Sequence, residues 1–183
     1  VGEDQVQHVE LCREVARKFN NRFGVLFPEP QVILSIAPRI LGVDGTGKMS
    51  KSMGNFIAIL EDEKAIWEKL RTAVTDVNRV RRKDTGNPDI CNIYTIHRAF
   101  SSDEVRLEVD KGCRTAAIGC IDCKKILFEN MMKELRPIQD KAATLMSDTD
   151  YIKDVIKKGA DECRIIARQT MEEVREALGL MKP

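Results

Sequence analysis

The most restrictive feature of the sequence is a glycine-rich segment at residues 42–54. It holds four glycines in thirteen residues. A helix does not tolerate that density, because each glycine costs backbone entropy when it is ordered. The segment therefore predicts a loop. Inside it, Lys48-Met-Ser-Lys-Ser52 combines adaptable backbone, two hydroxyls and two positive charges, the chemistry that a loop needs to bind phosphate groups.

The loop resembles a P-loop only in part. Residues 42–48 follow the G-x-x-x-x-G-K portion of that pattern, but the next position is Met49. A P-loop has a serine or threonine there, whose hydroxyl holds magnesium. The segment also lacks the expected strand before it and helix after it. We therefore reject the P-loop interpretation.

Composition divides the chain into two parts. The length of 183 residues suits one domain or two small ones, and a hydrophobic fraction of 43% is enough for a buried core. The net charge of +1 excludes a polycation or an acidic disordered tail. Residues 1–60 contain six of the eleven glycines, whereas residues 61–183 have mostly helical patterns. We predict domains at 1–60 and 61–183, with the boundary at 55–61.

The remaining patterns predict a mostly helical chain. Apolar residues at steps of three and four predict helices over 3–23, 62–74 and 91–100, with a further helix capped by Ser101 or Ser102. Others are predicted over 121–146, kinked or divided at Pro137, and from 149 or 150 to Gly179 with an interruption at Gly159. The β-branched run 32–36 predicts a buried strand or a loop packed on one. No stretch is long and apolar enough for a membrane span, and no leader opens the chain, so we expect a cytoplasmic protein.

The loop carries a resemblance that identifies a family. Lys48-Met-Ser-Lys-Ser52 matches the KMSKS signature of class I aminoacyl-tRNA synthetases. Two lysines three residues apart can close over the pyrophosphate that leaves ATP during amino-acid activation and stabilise the charge of the transition state. Val1-Gly-Glu-Asp-Gln5, followed by His8 and Glu10, resembles the GxDQ segment of the tryptophan and tyrosine enzymes, and its form resembles tryptophanyl-tRNA synthetases in particular.

The resemblance extends over essentially all 183 residues and implies an architecture. It implies the second half of a class I Rossmann-type catalytic domain, an α/β remnant, followed by an all-α helical anticodon-binding domain. The family's other signature, HIGH, is not found in these residues, nor is the acidic residue that reads the indole N–H of tryptophan. The chain resembles the second half of a synthetase, and we expect this part alone to be inactive.

The resemblance also implies roles for individual residues. Gly2 and Asp4 would meet the ATP ribose, Gln5 would bind the amino group of the amino acid, and Ile40 and Met49 would present backbone groups to adenine. The residues that would hold the phosphates are Lys48, Lys51 and the hydroxyls of Ser50 and Ser52, with Lys48 and Lys51 as the catalytic cations. From the residues alone, Asp4 is equally typical of the polar start of a helix.

Four cysteines form a second informative group. Cys91, Cys113, Cys120 and Cys123 have the spacing C-x21-C-x6-C-x2-C. Two cysteines separated by two residues can bind one metal from a single turn, and four thiolates suit zinc or a [4Fe–4S] cluster. The alternative is that they are small buried apolar residues, which is also the interpretation of Cys12 and Cys163 on the apolar faces of predicted helices.

The resemblance favours the iron–sulfur cluster, with zinc as the alternative. Some tryptophanyl-tRNA synthetases carry a [4Fe–4S] cluster on C-x22-C-x6-C-x2-C, and this sequence is one residue shorter in the first interval. We expect the cluster to be a structural clamp, because aminoacylation transfers no electrons.

The implied substrates and partners are ATP with Mg²⁺, L-tryptophan, tRNA(Trp) and, in the intact enzyme, a second copy as a homodimer. Arg79, Arg81, Arg82 and Lys83 form a basic run that could contact the tRNA backbone. Two other interpretations stay open: a tyrosyl-type synthetase fragment, and a metal-clamped RNA-binding module without catalysis.

Overall fold

The computed structural model describes residues 1–35, 37 and 39–180, and most of these residues are helical. The α-helices are α1 (Val6–Phe23), α2 (Glu63–Thr72), α3 (Asn92–Phe100), α4 (Asp103–Arg114), α5 (Cys120–Met146) and α6 (Thr149–Ala177). Two short 3-10 helices cover Glu3–Gln5 and Pro88–Ile90. The mostly helical fold predicted from the sequence is confirmed. The chain divides into two compact units, Val1–Leu34 with Ala143–Pro183, and Ser35–Ala142, and the predicted boundary near residue 60 stays a prediction.

The first unit contains α1 and α6 and has little core of its own. Ala16 is the one buried residue of α1, and no described residue of α6 is buried. Cys12 and Cys163, predicted to lie on apolar helix faces, are exposed. The expectation that these two cysteines are buried is wrong for this unit, because helical periodicity shows which residues share a face but not whether a partner covers that face.

The strand predicted over 32–36 does not form in residues 32–35, and Ile36 lies outside the described residues. Ile33 is 80% exposed, and its carbonyl accepts a hydrogen bond from the Val1 nitrogen at 2.7 Å. Across the described residues there is no strand, only an isolated antiparallel bridge between Leu41 and Lys48. A β-branched run needs a neighbouring strand to satisfy its backbone groups, so propensity by itself does not produce a strand here.

The second unit is built on a core shared by α2, α3 and α5. Its buried apolar residues include Ile66, Leu70, Ile93, Ile96, Leu127 and Met132. Asp62 caps the start of α2 by accepting a hydrogen bond from the Ala65 N–H at 2.8 Å, and Ser102 caps α4 as predicted. At the other end of α2, the buried Lys124 ammonium of α5 donates to the carbonyls of Arg71 and Ala73 at 2.8 and 2.6 Å. A cation at a helix C-terminus stabilises the free carbonyls there.

Two residues that commonly break helices leave their helices undivided. Pro137 lies inside α5 without dividing it, and Gly159 lies inside an uninterrupted α6. A proline removes one backbone hydrogen bond from a helix. In this 27-residue helix, the residues that pack in the core lie within 127–135, just before Pro137. Gly179, with φ of 68°, follows the end of α6 as predicted. In the part of the chain that the structure describes, no helix combines the length and apolar character needed to cross a bilayer.

Candidate nucleotide-binding loop and cysteine cavity

Backbone hydrogen bonds close the glycine-rich segment into a compact loop. The Met49 N–H donates to the Ile40 carbonyl at 3.0 Å, and the Gly42 N–H donates to the Gly47 carbonyl at 2.8 Å. Together with the bridge between Leu41 and Lys48, these bonds hold the two ends of residues 40–49 side by side. The predicted loop is therefore ordered at its base, and the signature residues follow directly from it.

Asn55 holds the loop together through hydrogen bonds of its side chain, although the sequence analysis did not single it out. Its side chain is 4% exposed. The amide oxygen accepts a hydrogen bond from the Ser50 N–H at 2.9 Å, and the amide nitrogen donates to Asp44 Oδ1 at 3.0 Å. Its backbone carbonyl accepts from the Val43 N–H at 2.9 Å. One buried side chain thus joins the glycine-rich base to the middle of the signature.

Gly42 is required by this arrangement. A Cβ atom at this position would lie 2.1 Å from the Asn55 amide nitrogen, which is far inside van der Waals contact. Asp44 completes the base by accepting hydrogen bonds from the Thr46 hydroxyl at 2.8 Å and the Thr46 N–H at 3.2 Å. The Thr46 hydroxyl is the main cause that lowers the pKa of Asp44, so this carboxylate is ionised at neutral pH.

The signature residues are presented on the surface of this base. The side chains of Lys48, Lys51 and Ser52 are exposed. The Ser50 and Ser52 hydroxyl oxygens are 2.7 Å apart, so they share one hydrogen bond. Met49 points the other way and, with Ile40, lines an apolar cavity formed with Ile57, Ile59, Ile96, Phe100, Met131 and Leu135. The loop therefore has an apolar anchor and a face that carries lysines and hydroxyls.

Two predicted contacts of adenine involve the backbone groups of Ile40 and Met49. In this conformation the Met49 N–H is hydrogen-bonded to the Ile40 carbonyl. That carbonyl keeps a second lone pair, as every carbonyl does. The assignment of these two residues to adenine stays a prediction.

The predicted GxDQ residues lie in the first unit. Gly2 is extended and precedes the 3-10 helix Glu3–Gln5, where the Gln5 N–H donates to the Gly2 carbonyl at 3.0 Å. The exposed Gln5 amide donates to Asp4 Oδ2 at 2.8 Å. Ile40 and the signature residues 48–52 belong to the second unit. The predicted roles of Gly2, Asp4 and Gln5 toward ATP and the amino acid stay predictions.

The four spaced cysteines come together around one cavity of the second unit. Cys91 is buried, and Cys113, Cys120 and Cys123 are partly buried. The cavity is lined by Thr75, Asp76, Arg79, Cys91, Ile93, Cys113, Ile118, Cys120 and Cys123. Gly86 lies against it so closely that a Cβ atom there would be 2.5 Å from Cys113 Sγ. Cysteines separated by up to 32 positions in the sequence thus line a common space.

The sulfur atoms are nevertheless not arranged as a ready metal site. Among the described residues, no three histidine, cysteine, aspartate or glutamate side chains are placed to hold one metal ion. Burial raises the pKa of Cys91 and Cys113, and it raises the pKa of Cys123 to about 12. The predicted metal centre is not supported by this arrangement of side chains, because no three donors among the described residues converge on one point.

The sequence analysis did not single out His97, which contacts one of the four cysteines, and it misread Arg79, which lines their cavity. His97 is fully buried, and its Nε2 atom lies 3.5 Å from Cys123 Sγ while Nδ1 lies 2.7 Å from the Ser101 hydroxyl. Burial lowers the pKa of His97 to about 4. Arg79, which the sequence groups with a basic run, is also buried. Only Arg81, Arg82 and Lys83 of that run are exposed, which corrects the expected four-residue basic surface.

Comparison with known proteins decides the family. The model of the class I tRNA synthetases (W and Y) matches residues 1–136. The chain belongs to these class I tRNA synthetases. A tryptophan–tRNA ligase of Deinococcus radiodurans is 54% identical over 183 residues, covering 100% of this chain and 56% of its own length. One from Thermotoga maritima is 48% identical over 182 residues, covering 99% of this chain and 55% of its own length.

Solved structures of this synthetase family have the same fold. The tryptophanyl-tRNA synthetase of Campylobacter jejuni, solved with ADP and tryptophan, superposes with a TM-score of 0.71 at 30% identity, over 98% of this chain and 56% of its own. That of Mycoplasma pneumoniae gives a TM-score of 0.77 at 26% identity, over 99% and 57%. The chain spans about half the length of the curated relatives that it matches.

Proposed function

We propose that this chain is part of a tryptophan–tRNA ligase, which activates L-tryptophan with ATP and transfers it to tRNA(Trp). The observation that carries the proposal is the loop at residues 48–52, whose two exposed lysines and paired hydroxyls stand on a base fixed by Asn55. Whole-chain identity of 54% and 48% to tryptophan–tRNA ligases supports tryptophan as the amino acid. A tyrosyl-tRNA synthetase structure from Aeropyrum pernix is 20% identical and supports the fold alone.

The loop suits the chemistry of amino-acid activation. The amino-acid carboxylate attacks the α-phosphorus of ATP, the bond to the bridging oxygen breaks, and magnesium pyrophosphate leaves with its negative charge. Lys48 and Lys51 supply positive charge to that leaving group, while Ser50 and Ser52 offer hydroxyl donors to its oxygens. The hydrogen bond from the Ser50 N–H to Asn55 fixes the loop before the substrate arrives, which lowers the entropy cost of closing over it. Gly2 and Asp4 would bind the ribose, and Gln5 the amino group of tryptophan.

The same proposal includes partners and location. The exposed residues Arg81, Arg82 and Lys83 can contact phosphates of the tRNA backbone, which supplies affinity rather than sequence choice. Membership of this family supports a homodimer for the complete enzyme. All six cysteines are free thiols, which agrees with the reducing conditions of the cytoplasm.

A four-cysteine metal centre is the finer part of the proposal. Cys91, Cys113, Cys120 and Cys123 all line one cavity. Four thiols are the donor set that a [4Fe–4S] cluster or zinc takes, although the side chains would have to move to bring their sulfur atoms onto one metal centre. Bound there, the group would crosslink the N-terminus of α3, the C-terminal end of α4 and the first turn of α5. On deprotonation, each of the four thiols would supply one ligand.

The experiment that tests the catalytic proposal is ATP–pyrophosphate exchange by the complete gene product that contains this chain. We expect exchange that depends on L-tryptophan, with L-tyrosine and L-phenylalanine supporting at most about 1% of that rate, because a pocket that hydrogen-bonds its substrate rejects analogues by large factors. Exchange driven by tyrosine rather than tryptophan would identify the chain as part of a tyrosyl-type synthetase. The complete absence of exchange with any amino acid would overturn the proposal.

A further inference from the structure

The amide of Asn55 is fixed in one orientation by a donor on one side and an acceptor on the other. The Ser50 N–H, which can only donate, lies 2.9 Å from the amide oxygen. Asp44 Oδ1 lies 3.0 Å from the amide nitrogen, and the ionised carboxylate of Asp44 can only accept. An amide rotated by 180° would turn its NH2 group to a donor and its oxygen to a carboxylate. The charge of Asp44 therefore selects the orientation in which Asn55 holds Ser50.

The base that carries this pair is attached to the helical core. The Gly42 carbonyl accepts a hydrogen bond at 2.7 Å from the buried side chain of Asn92, the first residue of α3. The Val43 carbonyl accepts from the Val74 N–H at 2.9 Å, and the Val43 N–H donates to the Asn55 carbonyl at 2.9 Å. These bonds fix the base of the loop relative to α3, so a side chain that projects from the base can define the position of the segment above it.

The Asn55 side chain reaches the main chain between the two signature lysines. Besides its bond to the Ser50 N–H, its amide nitrogen lies 3.5 Å from the Lys48 carbonyl. Both contacts are made to backbone groups, which leaves the exposed lysine side chains to project outward. The buried amide thus sets the path of the backbone that carries Lys48 and Lys51.

We propose that Asp44 and Asn55 form a positioning pair for amino-acid activation. The charge of Asp44 orients the Asn55 amide, and that amide fixes the backbone from which Lys48 and Lys51 reach the leaving pyrophosphate. The inference rests on the function proposed above and adds two residues that act through the loop. Because the charge on the leaving group develops in the transition state, an error in the position of the lysines lowers kcat more than it changes substrate binding.

The test exchanges the two side chains and measures tryptophan-dependent ATP–pyrophosphate exchange by the complete gene product. The assay is at about pH 8, well above the ordinary pKa of a carboxyl group. Asn55→Asp alone places a second carboxylate against Asp44, so the pair repels and loses its donor. We expect kcat to fall at least about tenfold, since a misplacement of about 1 Å can cost about 100-fold. We expect KM for tryptophan to stay within about twofold.

The double variant Asn55→Asp with Asp44→Asn restores one amide that faces one carboxylate. The carboxylate at position 55 can accept from the Ser50 N–H and from the amide at position 44, and the net charge equals that of the wild type. We expect kcat to return to within about fivefold of the wild type, which is a strong coupling between the two positions. Asp44→Asn alone keeps a hydrogen-bonding partner for Asn55 without its charge, and we expect a loss of about threefold.

Two further variants separate positioning from stability. Asn78→Asp makes the same chemical change at an exposed position of the same unit, and we expect the wild-type kcat. Asn55→Ala removes both bonds of the amide without adding a charge, and we expect kcat to fall at least about tenfold. Thermal unfolding of each variant shows whether it is folded at the assay temperature, and Asn55→Ala decides the result if Asn55→Asp is not.

The outcomes distinguish this inference from the proposed function. If the wild type gives no exchange with any amino acid, the proposed function is wrong and the positioning pair falls with it. If the wild type is active and folded Asn55→Asp or Asn55→Ala keeps the wild-type kcat, with only a lower melting temperature, Asn55 stabilises the fold and positions nothing. A folded double variant as slow as Asn55→Asp would show that the two residues do not act as a pair, while the proposed function stands.

Discussion

Replacing Lys51 by alanine is expected to lower tryptophan-dependent ATP–pyrophosphate exchange of the complete gene product about 100-fold. Lys51 is exposed on the loop whose base is fixed by Asn55, so its ammonium group can reach the leaving pyrophosphate without disturbing the core. Charge that develops mainly in the transition state changes kcat rather than substrate binding. The measurement is the exchange rate at saturating ATP and tryptophan, with KM for both substrates.

Two control variants make this result specific. Lys64→Ala removes another exposed lysine, from α2 of the same unit, and we expect the wild-type rate. Lys51→Arg keeps the positive charge and is expected to recover part of the lost rate, because distance and charge matter more here than the shape of the head group. A Lys51→Ala enzyme that matches the wild type in kcat would exclude Lys51 from catalysis.

The double substitution Cys120→Ser and Cys123→Ser is expected to abolish metal binding and to lower the melting temperature by about 10 °C. The physical reason is that the binding free energy of a structural metal contributes to folding, and each kcal/mol lost shifts the midpoint by about 2–4 °C in a protein of this size. The measurements are iron, zinc and acid-labile sulfide per chain, together with thermal unfolding followed by circular dichroism.

The matched control for this prediction is Cys12→Ser with Cys163→Ser. Both of these cysteines are exposed and belong to the first unit, so we expect unchanged metal content and stability. Iron with an equal amount of sulfide would identify a cluster, and zinc without sulfide would identify the alternative centre. If the wild-type protein carries neither metal and the double variant has unchanged stability, the four cysteines are apolar packing residues and not metal ligands.

Local patterns predicted the helices well, because each one combines apolar periodicity with a recognisable boundary. Asp62 before α2 and Ser102 before α4 are capping residues that the sequence displays directly. The strand predicted over 32–36 does not form in residues 32–35. A strand depends on a partner that lies elsewhere in space, and a local pattern does not show whether that partner exists. The exposure of Ile33 illustrates that difference.

The candidate sites show the same difference between contiguous patterns and contacts that exist only in the folded chain. The signature at residues 48–52 is contiguous, so the sequence identifies it completely, whereas Asn55 acts through the tertiary contacts of its amide with Ser50 and Asp44. The cysteines could be grouped by their spacing, and the structure brings all four to one cavity. The burial of Arg79 could not be anticipated, because a run of basic residues gives no sign of which side chain turns inward.

The measurement that tests the central claim most directly is the charging of tRNA by the complete gene product with radiolabelled amino acids. The account predicts that tryptophan is attached to tRNA(Trp), that tyrosine is not attached to any tRNA, and that Lys51→Ala loses most of the rate. Binding of tRNA without any charging, by protein that is folded and metal-loaded, would contradict it and would identify an RNA-binding module without catalysis.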